Sequence, residues 1–576
     1  MFSVASRPEE LRSETAADAF SGETAAALTR QLVRAAPDRS PGSADDRAAA
    51  AFVARRFHAI AGGQVLEQRF GGRFEGDGVR MRNLTLVLPG TSSERIVIAA
   101  PRDCAAGECA ASSGAATAAL LELADAFEGA RHAKTLVFVS LDGSAAGAAG
   151  AGQLADALET EPAEAVIVIT KAGSANLERP LVIPWSSGPE STSIQLIESA
   201  KDAIEGQLSK GGTLKLGTIQ SLLRLAIPAG LGDQAPLIER GVDAVAVSSS
   251  GERYLSGSED GTDDLSARTL AVIGRSVLSL TFALDAHEGM TDHGPSAYIP
   301  LAGKLIPGWS LALLALVLLL PVGVVSAEAL ARAARLGEPA PLALIWVLSR
   351  VIPFAAAIIT AYLMALIGLM PEPRFPFDPA RYTLGVGAVL TIAALGLAFV
   401  AGLRLSRLLV LPAEAEDVIA PAVGAMLFVS LLGIWIANPY FALLLVPGAH
   451  LWLFASLLRG RLGPAVALTA AGLVLPLVAV VFVGSQIGAG ASTPWTLLLM
   501  LTGRHFGPLA VVPLCLLGGC LLALLTIGAT TPGGLPPRPP RGRGRGGPVP
   551  LGPGSLGGTT PSLPKYEDVV RGPAEP

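Results

Sequence analysis

Residues Ile96–Phe127 read IVIAAPRDCAAGECAASSGAATAALLELADAF. The opening IVIAA is short, apolar and rich in β-branched residues, the pattern of a buried strand. A Gly- and Cys-bearing loop follows, and then a run of Ala and Leu of helical length. In α/β proteins, sites form where a strand hands over to a helix at the strand's carboxyl end. This loop has the shape of such a site, yet it holds no His, and its only acids are Asp103 and Glu108.

Outward from this unit the same alternation continues. KTLVFVSLD, AEAVIVITKAG and GVDAVAVSS are further short apolar runs bounded by turn residues. DRAAAAFVARRFHAI precedes them, and STSIQLIESAKDAIEGQL and LSARTLAVIGRSVLSLTFALDAH lie between or after them with helical periodicity. Strand alternating with helix predicts an α/β sheet covered on both faces.

From about Pro307 the character changes. Apolar runs long enough to cross a bilayer are expected at 308–326, 351–370, 383–403, 418–437, 440–458, 464–484 and 507–528. The chain of 576 residues is 51% hydrophobic and only 16% charged, against about 25% charged for soluble domains. Its net charge of −5 gives no reason to expect nucleic acid as a partner. Arg far outnumbers Lys and Ala and Gly are abundant, which reads as a GC-rich bacterial coding bias. The organisation expected is therefore an N-terminal segment (1–25), a sheet domain (26–300), an all-α polytopic transmembrane domain of about seven helices (301–530) and a disordered Pro/Gly/Arg-rich tail (531–576).

Arg332, Arg335, Arg350, Arg404, Arg407, Arg459, Arg461 and the tail Arg538, Arg541, Arg543 and Arg545 fall on alternate loops, while Arg374 and Arg381 fall on the other side beside Glu372 and Asp378. The positive-inside rule then places the tail in the cytoplasm and the sheet domain outside, in a bacterial plasma membrane. Export of so large a leading domain needs a signal, so the expectation is that residues 1–25 include the end of a truncated signal anchor, the alternative being that the domain stays in the cytoplasm. Cys104 and Cys109 suit a disulfide if the loop faces an oxidising compartment, with free thiols the alternative. His450 is the ionisable candidate inside a span, with a satisfied helix contact as the plainer reading.

PDRSPGSADDRAAAAFVARRF, MRNLTLVLPG, RIVIAAPRD, SGAATAALLELADAF, KTLVFVSLDGSAAGAAGA, GDQAPLIERGVDAVAV and DDLSARTLAVIGRSVLSL follow one another in the order found in peptidase family M-28. The chain from about Asp38 to Leu284 resembles these zinc aminopeptidases. The resemblance implies a mixed sheet with helices on both faces, and in an active member two zinc ions held by His and carboxylate ligands, with a Glu as general base.

Residue by residue, the chain departs from that pattern. Pro101 stands where the family has His, with Asp103 kept. Ser112 stands for the bridging Asp, Ser144 and Ala145 for a Glu-Glu pair, Thr170 for an Asp and Leu255 for the late His; GDQAP carries Gln234 in place of another His. Neutral Ser and Thr do not hold dications as carboxylates do, and Arg102 adds positive charge next to the first ligand position. A metal site rebuilt from Cys104, Cys109, Asp103 and His132, or one in DAHEGMTDHG using His287, Glu288, Asp292 and His293, lacks zinc-motif spacing.

The expectation is a membrane protein whose peptidase-like domain has neither catalytic residues nor metal and serves binding or scaffolding. Its partners would be the lipid bilayer and a protein or peptide in the relic cleft; no cofactor is expected. The open alternatives are a membrane-bound zinc metallopeptidase, which would need zinc, and a transporter or lipid-handling protein with a pseudopeptidase domain.

Overall fold

The computed structural model describes residues 7–530 apart from 14, 16, 180, 209–216, 290, 292 and 409–412. The tail from 531, with Arg538, Arg541, Arg543 and Arg545, and Asp292 lie outside the described residues.

The first half is built on helices α1 (Gly22–Ala35), α2 (Ala44–Ala59), α3 (Ala115–Ala126), α4 (Ala149–Leu158), α5 (Ile194–Glu205), α6 (Thr218–Ala226), α7 (Gln234–Glu239) and α8 (Ala267–Ala286). Its strands are β1 (Gln64–Phe74), β2 (Asp77–Leu88), β3 (Arg95–Pro101), β4 (Thr135–Leu141), β5 (Ala165–Thr170), β6 (Val182–Ile183) and β7 (Ala244–Ser248). They form one mixed sheet in the order β1-β2-β4-β3-β5-β7-β6. The β4–β3–β5–β7 centre is parallel, and the edges are antiparallel.

The two-residue period of the strands sorts the core into two layers. Ile96 and Ile98 of β3 face α1, α2, α3, α5 and α8, whereas Val97 and Ala99 face α4 and α7. Helix-covered faces on both sides explain why the central strands are continuously apolar instead of alternating. Phe20, ahead of α1, is fully buried in the first layer.

A short hairpin, β8 (Tyr298–Leu301) and β9 (Lys304–Pro307), leads into α9 (Gly308–Arg335). The remaining helices are α10 (Ala340–Ser349), α11 (Ile352–Leu366), α12 (Val386–Leu408), α13 (Ile419–Ala437), α14 (Pro439–Ala455), α15 (Leu462–Gln486), α16 (Thr493–Thr502) and α17 (Pro508–Ala529). Seven helices among the described residues are long and apolar enough to cross a membrane. One of these is α8, whose apolar stretch is 61% buried against the sheet. The other six, with the 17-residue α14, correspond to the seven expected spans.

The second span begins at Ala340, because α10 and α11 run on as one apolar helical stretch. Arg350 therefore lies within it, buried over the Trp346 ring (4.3 Å) with its guanidinium donating to Ser406 O (2.8 Å). The short α16 has no counterpart in the expected set.

The helix ends sort into two groups. At one end, the α9 amide of Gly308 donates to Ala297 O (2.6 Å) and Asn438 Nδ2 donates to Leu225 O and Ala226 O. Leu223, Leu225 and Ala226 of α6 pack there against Leu311, Tyr440 and Leu444. At the other end Arg350 meets Ser406 and Arg459 pairs with Glu416. Arg332 and Arg335 close α9, and Arg404 and Arg407 lie in the last turns of α12. The arginines expected on the cytoplasmic side that are placed here thus lie away from the sheet domain, whereas Arg381, expected on the other side, pairs with Glu75 of that domain.

Candidate functional site

At the carboxyl ends of β3, β4 and β5 the structure gathers seven of the positions singled out by the family resemblance. Pro101, Asp103, Ser112, Ser144, Ala145, Thr170 and Leu255 all line one cavity of about 410 Å³. The parallel order β4-β3-β5 explains the convergence, since three adjacent strands release their loops on the same edge of the sheet.

The opening loop is held from beneath by Arg39. Its buried guanidinium donates to Arg102 O (3.1 Å), Ala36 O (3.0 Å), Glu108 O (3.0 Å), Cys109 O (3.2 Å) and Ser113 Oγ (3.2 Å). Desolvation lowers its pKa to about 10. Cys104 and Cys109 are joined as a disulfide, with their Cα atoms 6.1 Å apart. Beyond Cys109 the chain makes one π-helical turn, Ala110–Gly114, before α3 begins. Three non-glycine residues of this rim take positive φ: Cys109 (41°), Ala148 (55°) and Lys171 (46°). Such conformations cost of order 1–3 kcal/mol each and gather at functional sites.

The carboxylates are engaged by the protein itself. Asp103 accepts the backbone N–H groups of Ser144 (2.9 Å) and Ala145 (2.8 Å). The Ser144 hydroxyl donates to Asp233 (2.8 Å), and Ser112 donates to Asp260 through both its amide (2.7 Å) and its hydroxyl (2.5 Å). Burial pushes Asp233 and Asp260 each up to about 6. Burial, with Asp142 as a negative neighbour, also raises Asp103. Lys171 extends its ammonium to Glu252 O (2.8 Å) above the Tyr254 ring (5.2 Å). Desolvation brings it down to about 8, against the pull of Glu252.

A segment from the second half closes the cleft. Pro376, Phe377, Asp378, Arg381 and Tyr382, between α11 and α12, line the same cavity. Arg381 pairs with Glu75 at the β1–β2 tip (2.6 Å) and lies over Phe74. Burial raises Asp378.

One sequence expectation is corrected. Arg102 does not point at the ligand positions: it is fully buried below them, paired with Asp142 (2.8 Å) and Asp46 (3.4 Å) and donating to Ser140 Oγ and Arg82 O. Three other proposed residues are not brought into the cleft. His132 bonds Lys134 O at the opposite end of β4 and packs edge-on against Phe127. His293 lies against Asp243. His450 returns its Nδ1 to Val446 O (2.9 Å), one turn back in α14.

The zinc pair implied by the family resemblance does not fit these residues. Among the described residues no three His, Cys, Asp or Glu side chains are placed to hold a metal ion. Burial pushes Asp103, Asp233 and Asp260 upward, against the deprotonated state that metal ligands need, and Thr170 is followed by the Lys171 ammonium. Gln234 is buried, with its Nε2 on Trp185 O. Sequence reading missed Asp233, which lies inside GDQAP beside the residue being compared, and Asp260 in SEDGTDD. Lys171, Tyr254 and the 376–382 segment carry no motif at all.

No family model matches the chain, and no curated protein does. Among solved structures, a glutaminyl cyclase from an Acidobacteriales bacterium is similar at 19% identity and TM-score 0.38, over 48% of this chain and 99% of that one. Glutaminyl cyclase from Porphyromonas gingivalis matches at 17% identity and TM-score 0.37, over 46% and 98%. A Zn-dependent exopeptidase from Parabacteroides distasonis matches at 15% identity and TM-score 0.34, over 46% and 98%.

Proposed function

We propose that this chain is an integral membrane protein whose sheet domain, outside a bacterial plasma membrane, binds the amino terminus of a peptide or protein without hydrolysing it. The observation that carries the reading is the charge of the cleft. Glu108, Asp233, Asp260 and Asp378 face Lys171 and Arg381 in a recess partly closed off from water, while Asp103, pushed up to about 8 by burial, holds its proton at neutral pH. Such a recess favours a cationic group, because charge–charge attraction grows as the surroundings lose water. A peptide ammonium supplies one positive charge and three donors, and it needs none of the deprotonated ligands a zinc pair demands. The M-28 resemblance of the surrounding chain agrees with a cleft shaped for a chain end. The arginine pattern and the disulfide favour the outward placement of this domain and a cytoplasmic tail.

The test uses the full chain in lipid nanodiscs and two tripeptides, Ala-Ala-Ala-amide and its N-acetylated form. Saturable binding of the free amine, at least tenfold tighter than the acetylated form, supports the reading. Equal binding of the two, or stoichiometric zinc together with release of alanine, rejects it in favour of an unselective surface or a metallopeptidase.

A further inference from the structure

A second cavity, of about 530 Å³, lies where the helices meet the sheet domain. Its roof is Pro189 with Ala226–Ala229, and its walls come from α11, α13, α15, α16 and α17. The volume falls within the range of small-molecule sites, but the chemistry is that of hydrocarbon. Val483, Leu497, Leu501 and Val511 supply most of the lining; Thr493, Thr496 and Asn438 have their polar groups occupied, and His505 at one end sets its ring against Phe375 and Phe506. Thr493 and Thr496 donate their hydroxyls to Gly490 O and Ser492 O. Asn438 uses its amide nitrogen on the α6 carbonyls and its oxygen on the amides of Tyr440 and Phe441. Apolar cavities without free polar partners do not retain water. The body of this cavity therefore suits an apolar occupant.

The fold also indicates where that occupant comes from. The wall residue Leu514 is 43% exposed on α17, on the helix that also exposes Leu509 (69%) and Val512 (56%). The wall is thus continuous with the apolar outer face that a spanning helix turns to lipid. At the inner end, His505 stacks on Phe375 (4.4 Å), which packs edge-on against Phe377 of the carboxylate-lined cleft. The cavity sits beside that cleft at the boundary between the two halves, where a bilayer lipid changes from tail to headgroup.

We infer that this cavity binds an acyl chain of a bilayer phospholipid, entering past Leu514 and ending under the Ala226–Ala229 roof. The inference does not depend on what the carboxylate cleft binds.

The experiment places the full chain in nanodiscs of phosphatidylcholine, a small fraction of which carries a photoactivatable diazirine at the end of one acyl chain. Cross-linked peptides are then mapped by mass spectrometry. Labelling within 480–514 should exceed that of α12, an equally apolar helix, by about tenfold. Ala437→Phe with Ala510→Phe fills the space from two side chains that are not tightly packed, and should reduce that labelling about tenfold. Val389→Phe on α12 should not change it. If the double variant fails to elute as a native-sized particle, Ala510→Phe alone is read against the same threshold. Uniform labelling of all apolar helix faces, labelling unmoved by the filling variants, or protein–protein cross-links from a second copy in these peptides would overturn the inference.

Discussion

Asp233→Asn should make the protein more stable and less able to bind, and the size of each effect follows from where Asp233 lies. Its carboxyl is buried and held up to about 6, against an ordinary value of 3.8, because desolvation outweighs the hydrogen bond from Ser144. In the unfolded chain the proton leaves near pH 4; in the folded chain it stays until about pH 6. Between those values the folded state binds more protons than the unfolded state, so stability falls as pH rises. Above pH 6 the full cost, roughly 3 kcal/mol for a shift of about two units, is in place. The amide carries no charge and escapes that cost, while losing one hydrogen bond worth about 1 kcal/mol. The net gain near pH 7.5 is roughly 1–2 kcal/mol, and it should vanish at pH 4, where the native carboxyl is protonated. Thermal unfolding of the full chain in nanodiscs, followed by tryptophan fluorescence, should show a rise of about 1–3 °C at pH 7.5 for a chain of this size. A variant that melts lower at pH 7.5, or whose gain is equal at pH 4, would refute the claim that this carboxylate is held charged against its surroundings for the sake of a ligand.

Other consequences can be measured separately. Affinity for the free-amine tripeptide should rise about tenfold between pH 5 and pH 7 for each of Asp233 and Asp260 that must ionise, since a group titrating near 6 goes from about a tenth to nine-tenths charged over that range; titration calorimetry in nanodiscs would reveal a flat profile if neither takes part. Arg102→Met strands Asp142 and Asp46 beneath the cleft, and should cost about 3–5 kcal/mol, seen as a large drop in melting temperature that Arg381→Ala, whose ion pair reaches the surface, does not reproduce. Thiol counting in denaturant should find two reactive cysteines, Cys515 and Cys520, without reductant and four with it. Replacing Cys104 and Cys109 by Ser should lower stability by about 2 kcal/mol, the loop-closure value for so short a ring.

The parts of the fold that were legible in the sequence are those encoded locally. Each central strand announces itself as a short apolar run, and Ser21, Ser43, Ser193 and Ser266 stand as N-caps before α1, α2, α5 and α8. The ring of cleft positions was legible only because seven motifs occur in a known order. What escaped is what depends on distant partners. Arg102 looked like a charge in the cleft because its partners, Asp46 and Asp142, lie 56 and 40 residues away and show no pattern with it. Arg350 looked like the end of a loop because a charge inside an apolar run ordinarily marks a boundary; only the fold supplies Trp346 and Ser406 to accept it. The 376–382 segment joins the cleft from across the whole membrane half, and no local feature announces it.

These placements bear on whether a metal site could be built here by placing carboxyls at the positions where the family resemblance expects ligands. Ser112→Asp with Ser144→Glu returns two carboxyls to the ligand positions, yet metal ligands must be deprotonated to bind. At position 144 the new carboxyl would enter between Asp103 and Asp233, both already pushed upward. A further acid there keeps its proton, because crowded carboxylates cannot all ionise. Asp103 would still be turned onto the amides of residues 144 and 145, which move only if the backbone moves. The Lys171 ammonium would remain beside Thr170, repelling a dication. We therefore expect the double variant, purified with zinc present, to contain well under one zinc per chain by elemental analysis and to melt lower than the parent at pH 7.5. Zinc retention should rise only when Lys171→Met is added, which removes the competing cation. Stoichiometric zinc in the double variant with Lys171 intact would show that Ser112 and Ser144 alone keep metal out, and that Lys171 and the amide-bound Asp103 have no share in it.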